Sequence, residues 1–234
     1  MPRGVRLSRC SAVAPVALLT MNKATLPTME LAAGLRVPGA YGALSRLAAW
    51  ATRLAGWRIE VADPMPEKCV IVMYPHTSNW DFVFGLLTKW CVGLTVKREA
   101  LSFAGKESLF KGPWAGFFRA VGGFPVSRGS ASGFVDQMAA RFASEPRMRF
   151  VIAPEGTRGY TAHVRSSFYY VALAAKVPIA LGAFDFAKKR VVVNMFITLS
   201  GDVATDLEAI AGYYQTLGNQ GEQPDRAAPW RFRA

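Results

Sequence analysis

The fold of this chain is decided by one stretch, residues 69–81, which reads CVIVMYPHTSNWD. Its first six residues, Cys69 to Tyr74, form an apolar run that is typical of a strand buried on both faces. A turn containing His76 follows, and residues 82–92 then have the apolar spacing of a helix. A buried strand that leads through a short turn into a helix is the repeating unit of an α/β fold.

The same alternation of strand and helix continues along most of the chain. Strand-like runs occur at residues 57–62, 69–74, 101–104, 123–127, 148–153, 178–184 and 190–199. Helix-like runs lie between them at residues 81–93, 113–121, 133–144, 166–176 and 203–216. This order predicts an α/β fold with a largely parallel central sheet flanked by helices.

His76 and Asp81 lie at the turn between the predicted strand and the predicted helix. A turn there can fold the carboxylate of Asp81 back onto the imidazole of His76. The carboxylate would then fix the tautomer of the ring and leave its other nitrogen free to take a proton near neutral pH. The alternative is that Asp81 caps the helix and His76 is a polar turn residue.

The composition indicates an anionic partner. Lys and Arg number 28 against 16 Asp and Glu, a net charge of +12, and 51% of the residues are hydrophobic. A positive balance of this size is typical of proteins that bind nucleic acid, lipid headgroups or phosphorylated substrates. The basic residues are scattered among apolar and aromatic ones, as in residues 86–90 and 117–119. We therefore expect a membrane surface as the partner and no nucleic acid.

The three cysteines, Cys10, Cys69 and Cys91, are too few and too scattered for a disulfide framework or a tetrahedral metal site. Cys69 and Cys91 lie in apolar runs, which predicts that both are buried thiols. The chain has only two histidines and shows no spacing typical of metal ligands, so we expect no metal.

The N-terminal residues divide into a leader and a helix. Residues 1–38 begin with a basic stretch that resembles a weak signal peptide, and we interpret them as a disordered leader from an upstream-extended start codon. Residues 39–57 predict an amphipathic helix, whose apolar side chains recur at steps of three and four. Its apolar face would pack on the core or lie in a bilayer interface, and one helix can do both. The apolar positions are Leu44, Leu47, Trp50, Ala51, Leu54 and Trp57, with Ser45, Arg46, Thr52 and Arg53 opposite.

The rest of the chain is predicted to be one α/β domain, residues 58–217, followed by a flexible tail, residues 218–234, that is rich in Gly, Gln, Pro and Arg. The sequence contains no run of 18 or more apolar residues, so we predict no transmembrane helix.

Three further segments lie at strand ends or in adjoining turns, where an α/β fold can gather residues round one cleft. Gly122 and Gly123 begin a short strand that leads to Arg128, whose guanidinium can pair with a phosphate. The alternative is an ordinary glycine turn and a solvated arginine. The turn Glu155–Arg158 combines a carboxylate, a glycine backbone and a cation in one place, which indicates a binding site. The alternative is a surface ion pair between Glu155 and Arg158, worth ~0–1 kcal/mol and without function. Pro178 begins an apolar strand.

These segments, in this order, resemble the four motif blocks of the glycerolipid (lysophosphatidic acid) acyltransferase family, in particular its small bacterial members. The first block of that family is a His and an Asp separated by four residues, matched here by His76 and Asp81, with Ser78 at the family's serine position. The other three blocks are matched by Gly122–Arg128, Glu155–Arg158 and Val177–Ile179. The resemblance extends over roughly residues 57–200, and Pro75 stands where the family often has asparagine.

The resemblance implies that a fatty acyl group passes from a thioester co-substrate, acyl-CoA or acyl-ACP, to the hydroxyl of a lysophospholipid such as 1-acylglycerol-3-phosphate, with no bound cofactor. His76, oriented by Asp81, would act as the general base in a direct transfer. Arg128 would hold the acceptor phosphate, with Lys106 as a helper. The other residues implied to bind substrate are Ser78, Gly122, Gly123, Glu155, Gly156, Thr157, Arg158 and Pro178.

The implied partners are a lysolipid, a thioester carrier and a membrane surface, which would place the protein peripherally on the cytoplasmic face of the inner membrane. Backbone N–H groups near residues 77–80 are candidates for stabilising the oxyanion. Two alternatives remain open from the residues. One is an acyltransferase for an acceptor without phosphate, such as a lyso-aminolipid or a glycolipid. The other is a basic lipid- or nucleic-acid-binding protein without catalysis.

Overall fold

The structure, a computed structural model, describes residues 26–94, 101–126, 131–218 and 220–233. Within these ranges the strands are β1 (Thr28–Leu31), β2 (Arg58–Val61), β3 (Lys68–Met73), β4 (Leu101–Lys106), β5 (Gly123–Val126), β6 (Met148–Ile152), β7 (Ile179–Asp185) and β8 (Arg190–Thr198). The helices are α1 (Ala43–Leu54), α2 (Trp80–Cys91), α3 (Ala115–Ala120), α4 (Ala131–Ser144), α5 (Ser167–Ala175) and α6 (Val203–Leu217). Short 3₁₀ turns lie at Glu107–Phe110 and Pro224–Arg226.

The strands form one sheet in the order β1-β8-β7-β3-β6-β4-β5, and β2 also pairs with β8. The five strands from β7 to β5 run parallel to one another. β8 is antiparallel to β7 and β1 and parallel to β2. The predicted α/β fold with a largely parallel sheet is therefore confirmed, with an antiparallel region at one edge. Because the central strands are parallel, the turns that follow β3, β6, β4 and β5 all lie at the carboxyl ends of these strands, which is the sheet edge that concerns the site below.

The apolar run of β3 is explained by burial on both faces of the sheet. Cys69 and Ile71 point into a core under α1 and α2, together with Phe84 and Cys91. Val70, on the opposite face, points into a second core under α4, α5 and α6. The alternation follows from the two-residue period of a strand. Both cysteines are buried free thiols, as predicted, whereas Cys10 lies outside the described residues.

The α1 helix packs on α2 through small side chains and turns its large apolar ones outward. Ser45, Ala48, Ala49 and Thr52 are buried, and the Ser45 hydroxyl donates to the Cys91 carbonyl at 2.6 Å. The amphipathic helix predicted at residues 39–57 is thus present, but its Leu and Trp stripe does not fill the core. Four of the stripe's residues, Leu44, Leu47, Trp50 and Leu54, are exposed, whereas Trp57 is buried and stacks on Phe84.

Two predictions about the ends of the chain are wrong within the described residues. Residues 28–31, which fall in the predicted disordered leader, form β1 and pair with residues 195–198 of β8. The predicted flexible tail packs against the core, where Ala228 is fully buried and Trp230 stacks on Tyr214. Aromatic side chains in an otherwise polar tail find partners only in the folded core, which composition alone does not reveal.

None of the helices in the described residues combines the length and the apolar character needed to cross a bilayer.

Candidate active site

The turn between β3 and α2 brings His76 and Asp81 together. Nδ1 of His76 lies 2.9 Å from Oδ2 of Asp81, so the predicted pairing is present. Asp81 is in the first turn of α2, where the helix dipole favours a carboxylate. The His76 side chain is 27% exposed and that of Asp81 only 1%, so the carboxylate is buried beneath a ring that reaches solvent.

Asp81 is held in place by the backbone of the turn that it supports. Oδ2 also accepts hydrogen bonds from the backbone N–H groups of Thr77 at 3.0 Å and Ser78 at 3.1 Å. With Nδ1–H donating to this oxygen, the imidazole is the tautomer whose Nε2 carries a lone pair. No hydrogen bond to Nε2 is found among the described residues, so this nitrogen is available to a substrate hydroxyl.

Most of the backbone N–H groups that were predicted to stabilise the oxyanion already donate hydrogen bonds within the turn. The N–H groups of Thr77 and Ser78 are committed to Asp81, and the N–H of Trp80 donates to Oγ of Ser78 at 3.1 Å. Of residues 77–80, only Asn79 keeps an N–H for which the described residues provide no acceptor. Ser78 itself is buried, and its hydroxyl serves the turn.

Glu155 lies directly behind His76. Its Oε1 accepts the backbone N–H of His76 at 3.0 Å, and the residue is 2% exposed. Burial raises the pKa of Glu155 to about 7, against hydrogen bonds that lower it. Oε2 is buried without a partner among the described residues. The alternative interpretation of this turn, a surface ion pair between Glu155 and Arg158, is not found among the described residues, and the Glu155 carboxyl group holds the His76 backbone instead.

Replacing Glu155 with glutamine should remove a pH dependence of stability. A folded pKa of about 7 against an ordinary value of 4.5 means that the native state holds a proton that the unfolded chain releases. The free energy of unfolding of the wild type should therefore fall by about 3 kcal/mol as the pH rises from 4.5 to 7. Glu155→Gln should lose this decline in urea titrations at pH 5 and pH 8.

The control for this prediction is Glu67→Gln, which changes an exposed glutamate paired with Arg147. It should show the same decline as the wild type. A decline that persists unchanged in Glu155→Gln would show that this carboxyl is not its source.

The remainder of the Glu155–Arg158 turn is open to solvent. Gly156 has a φ of 64°, and a Cβ there would lie 2.5 Å from Nε of Arg165, so the guanidinium covers the bare backbone. The Thr157 hydroxyl accepts the N–H of Gly159 at 3.3 Å, and Arg158 is exposed. Arg165 was missed by sequence reasoning, and its place just before α5 was the only available signal.

Gly122, Gly123 and Pro178 lie where their strands begin, at the opposite side of the sheet from His76. Gly123 begins β5, and Gly122 has a φ of 94° with the Leu101 carbonyl packed where a side chain would stand. The carbonyl of Pro178 accepts the N–H of Val70, six residues before His76, which is roughly 20 Å along a strand. The two glycines and Pro178 therefore shape the fold and do not reach the histidine.

Lys106 lies at the end of its strand that is on the same side of the sheet as His76. Lys106 is the last residue of β4, which lies two strands from β3 and so roughly 10 Å away. The partner of Lys106 across the β4–β5 pair is Val126, and Arg128 follows two residues later, outside the described residues. The predicted binding roles of these two cations remain predictions.

The described residues contain no group of three or more His, Cys, Asp or Glu side chains that could hold a metal ion. The site consists of a solvent-reaching imidazole, two buried carboxylates and arginines at its margin. This set can remove a proton from a hydroxyl and return it to a leaving group.

Comparisons with known proteins identify the family of this chain. The sequence profile of the acyltransferase family matches residues 57–184, more than half of the chain. No curated protein matches the sequence. Among solved structures, the crystal structure of the 1-acyl-sn-glycerophosphate acyltransferase PlsC from Thermotoga maritima aligns with a TM-score of 0.46 at 15% identity, over 76% of this chain and 79% of that chain. The family match includes the turns that carry His76, Asp81 and Glu155, and the chain belongs to the acyltransferase family.

Proposed function

We propose that the protein transfers a fatty acyl group from acyl-CoA or acyl-ACP to the hydroxyl of a lysophospholipid such as 1-acylglycerol-3-phosphate. The observation that carries this proposal is the 2.9 Å contact between His76 and Asp81 at a solvent-reaching turn. Nε2 of His76 would take the proton as the acceptor oxygen attacks the thioester carbonyl. When the carbon–sulfur bond breaks, the imidazolium would return that proton to the departing thiolate.

Direct transfer is favoured over an acyl-enzyme because the nearby nucleophiles are occupied or buried. Cys69 lies within β3, and burial raises the pKa of its thiol to about 12. The Ser78 hydroxyl accepts the Trp80 N–H and is buried. Neither group has a base positioned to activate it among the described residues, whereas nucleophilic catalysis requires one.

The test of this function is the release of free thiol. Purified protein is supplied with acyl-CoA or acyl-ACP and with a panel of acceptors: lysophosphatidic acid, other lysophospholipids, a lyso-aminolipid and a glycolipid. We expect thiol release that depends on a phosphate-bearing lysolipid and yields its acylated product. Thiol release only with an acceptor that lacks phosphate would show that the acceptor belongs to another class of lipid. Thiol release no faster than the rate without acceptor would overturn the proposal.

Arg128 is proposed to hold the acceptor phosphate, since β5 delivers the chain to the same sheet edge as His76. Arg128→Ala should raise the KM for the lysophospholipid by roughly 10- to 100-fold, because a charge-assisted hydrogen bond contributes about 1.5–3 kcal/mol. The KM for the thioester should change little. Arg147→Ala, which removes an arginine from the opposite edge, is the control. An unchanged acceptor KM in Arg128→Ala would contradict the phosphate role.

We also propose that the protein binds the cytoplasmic face of the inner membrane peripherally. Among the described residues, large exposed hydrophobic side chains are confined to residues 26–54 and 80–117, apart from Tyr160 and Tyr170. The α1 helix exposes Leu47 and Trp50, carries exposed arginines and has no acidic residue. Apolar and cationic side chains on one face are the combination that binds an anionic bilayer interface.

Leu47→Glu combined with Trp50→Glu should lower partitioning onto vesicles containing phosphatidylglycerol at least about tenfold, because each side chain loses roughly 1.5–3 kcal/mol of apolar burial. Vesicle co-sedimentation measures this. Tyr170→Glu changes a 44% exposed aromatic residue of α5 and should bind as the wild type does. Equal loss in both variants, or none in the double variant, would exclude α1 as the contact.

A further inference from the structure

The residues after α6 run back across the sheet edge that carries His76. We call residues 220–232 the C-terminal strap. The Gly221 N–H donates to the Phe184 carbonyl of β7 at 2.8 Å. Two residues later, the Gln223 N–H donates to Oγ1 of Thr77 at 3.2 Å. The first residues of the strap therefore include a direct hydrogen bond to Thr77, the residue that follows His76.

The middle of the strap is anchored beneath the same turn. The Tyr74 hydroxyl donates to the Ala228 carbonyl at 2.6 Å. The Trp230 ring is nearly parallel to that of Tyr214, at 5.1 Å between centroids, and lies 4.6 Å from that of Tyr74. The two residues that precede His76 and the one that follows it thus lie against the strap, because a Cβ at Gly221 would come within 3.0 Å of Pro75.

The end of the strap reaches the loop that leaves the Glu155–Arg158 turn. The Val164 N–H donates to the Arg231 carbonyl at 3.0 Å, and Nε of Arg231 donates to the Ala162 carbonyl at 2.9 Å. Phe232 packs edge-on against Phe168 of α5. One segment of chain therefore connects the two turns that supply the carboxylates and the imidazole.

We propose that the C-terminal strap is a positioning element for the catalytic turn and acts through Thr77. The Thr77 hydroxyl accepts from Gln223, while its backbone N–H donates to Oδ2 of Asp81 at 3.0 Å. A displacement of Thr77 therefore moves a donor that orients the aspartate and, through it, the imidazole of His76. No strap residue needs to touch substrate for this effect. The inference rests on the acyl transfer proposed above.

The strap also fits the turn closely at Gly221. This residue has a φ of 83°, and a Cβ there would lie 2.8 Å from Oγ1 of Thr77. Gly221→Ala would therefore push on the catalytic turn. Gly218 has a similar φ of 80° and no atom within 4 Å of such a Cβ, so Gly218→Ala also places a side chain at positive φ but makes no contact with the catalytic turn.

The experiment compares kinetic constants in the thiol-release assay. Thr77→Val removes the acceptor for the Gln223 N–H with little change of shape, and Thr77→Ser keeps it. We expect kcat to fall at least about tenfold in Thr77→Val and in Gly221→Ala, with both KM values unchanged, because misplacement of a catalytic group by about 1 Å can cost 10²-fold. Thr77→Ser and Gly218→Ala should stay within about twofold of the wild type.

A pH profile separates positioning from a smaller folded fraction. Asp81 and Glu155 are the titratable groups that contact His76 among the residues that the structure describes. An aspartate with one donor fewer holds an imidazolium more strongly, so the acidic limb of kcat/KM should move to higher pH in Thr77→Val and return in Thr77→Ser. Loss of folded protein would lower activity most at high pH, because the free energy of unfolding falls as the pH rises, and would not move the acidic limb to higher pH.

The outcomes are distinct. An inactive wild type refutes the proposed function itself. An active wild type with Thr77→Val at wild-type kcat, or with a lowered but unshifted profile, overturns the role of the strap. An equal loss in Gly218→Ala and Gly221→Ala also overturns it. If Gly221→Ala does not fold, the comparison of Thr77→Val with Thr77→Ser decides.

Discussion

Replacing His76 with alanine is expected to abolish acyl transfer while the protein remains folded. The imidazole is the only described group at the turn with a free basic nitrogen, and general-base catalysis contributes roughly 10²–10⁴-fold in rate. The side chain reaches solvent and makes one side-chain hydrogen bond, so its removal should cost little stability. The measurement is thiol release under saturating thioester and lysolipid, together with the thermal unfolding midpoint of each protein.

His163→Ala is the matched control, because it removes the other histidine of the chain, which lies in the loop before α5. It should retain wild-type kcat. Full activity in His76→Ala would remove the proposed base, and equal losses in the two variants would show that neither effect is specific.

Asp81→Asn is expected to lower kcat by roughly 10⁴-fold, the scale observed when asparagine replaces the buried aspartate of a Ser-His-Asp triad. An amide oxygen can still accept from the Thr77 and Ser78 N–H groups, so the turn should keep its shape. It carries no charge, however, and cannot stabilise the imidazolium that forms when His76 takes a proton. Thiol release measured from pH 5 to pH 9 tests the loss across the whole profile.

This experiment needs a control variant of similar stability, because Asp81→Asn is expected to destabilise the protein. Oδ1 of Asp81 is buried without a partner among the described residues. An amide nitrogen there would cost about 1–3 kcal/mol. Asp206→Asn provides the control: Asp206 is fully buried in α6 and accepts from Tyr169, Ser200 and Gly201. It should be destabilised to a similar degree and keep its activity. Retained activity in Asp81→Asn would refute the orienting role.

Much of the fold could be predicted because it depends on short-range patterns. β3 was recognisable since every side chain of its apolar run is buried, and parallel strands covered by helices require that. The pair of His76 and Asp81 was recognisable because the turn joining β3 to α2 is short enough to return the carboxylate to the ring. β1 was missed because a four-residue exposed strand at a sheet edge has no apolar period.

The role of Glu155 could not be predicted, although its motif was evident. Its carboxylate lies 79 positions along the chain from the N–H that it accepts, and only the pairing of β3 with β6 brings the two together. The same applies to Pro178, whose strand is parallel to β3 but begins at the opposite edge of the sheet. Residues at the two ends of parallel strands look alike in sequence and are separated in space by the strand length.

The sequence alone determined the α/β fold, the helix–strand order and the histidine with its aspartate, because each depends on neighbours within a few positions. The tertiary structure decided which turns face one another, that the Leu and Trp stripe of α1 faces outward, and that residues 220–232 lie against Thr77. Such contacts depend on strand order and direction. Strand order and direction are set by the packing of the whole chain and not by neighbours within a few positions.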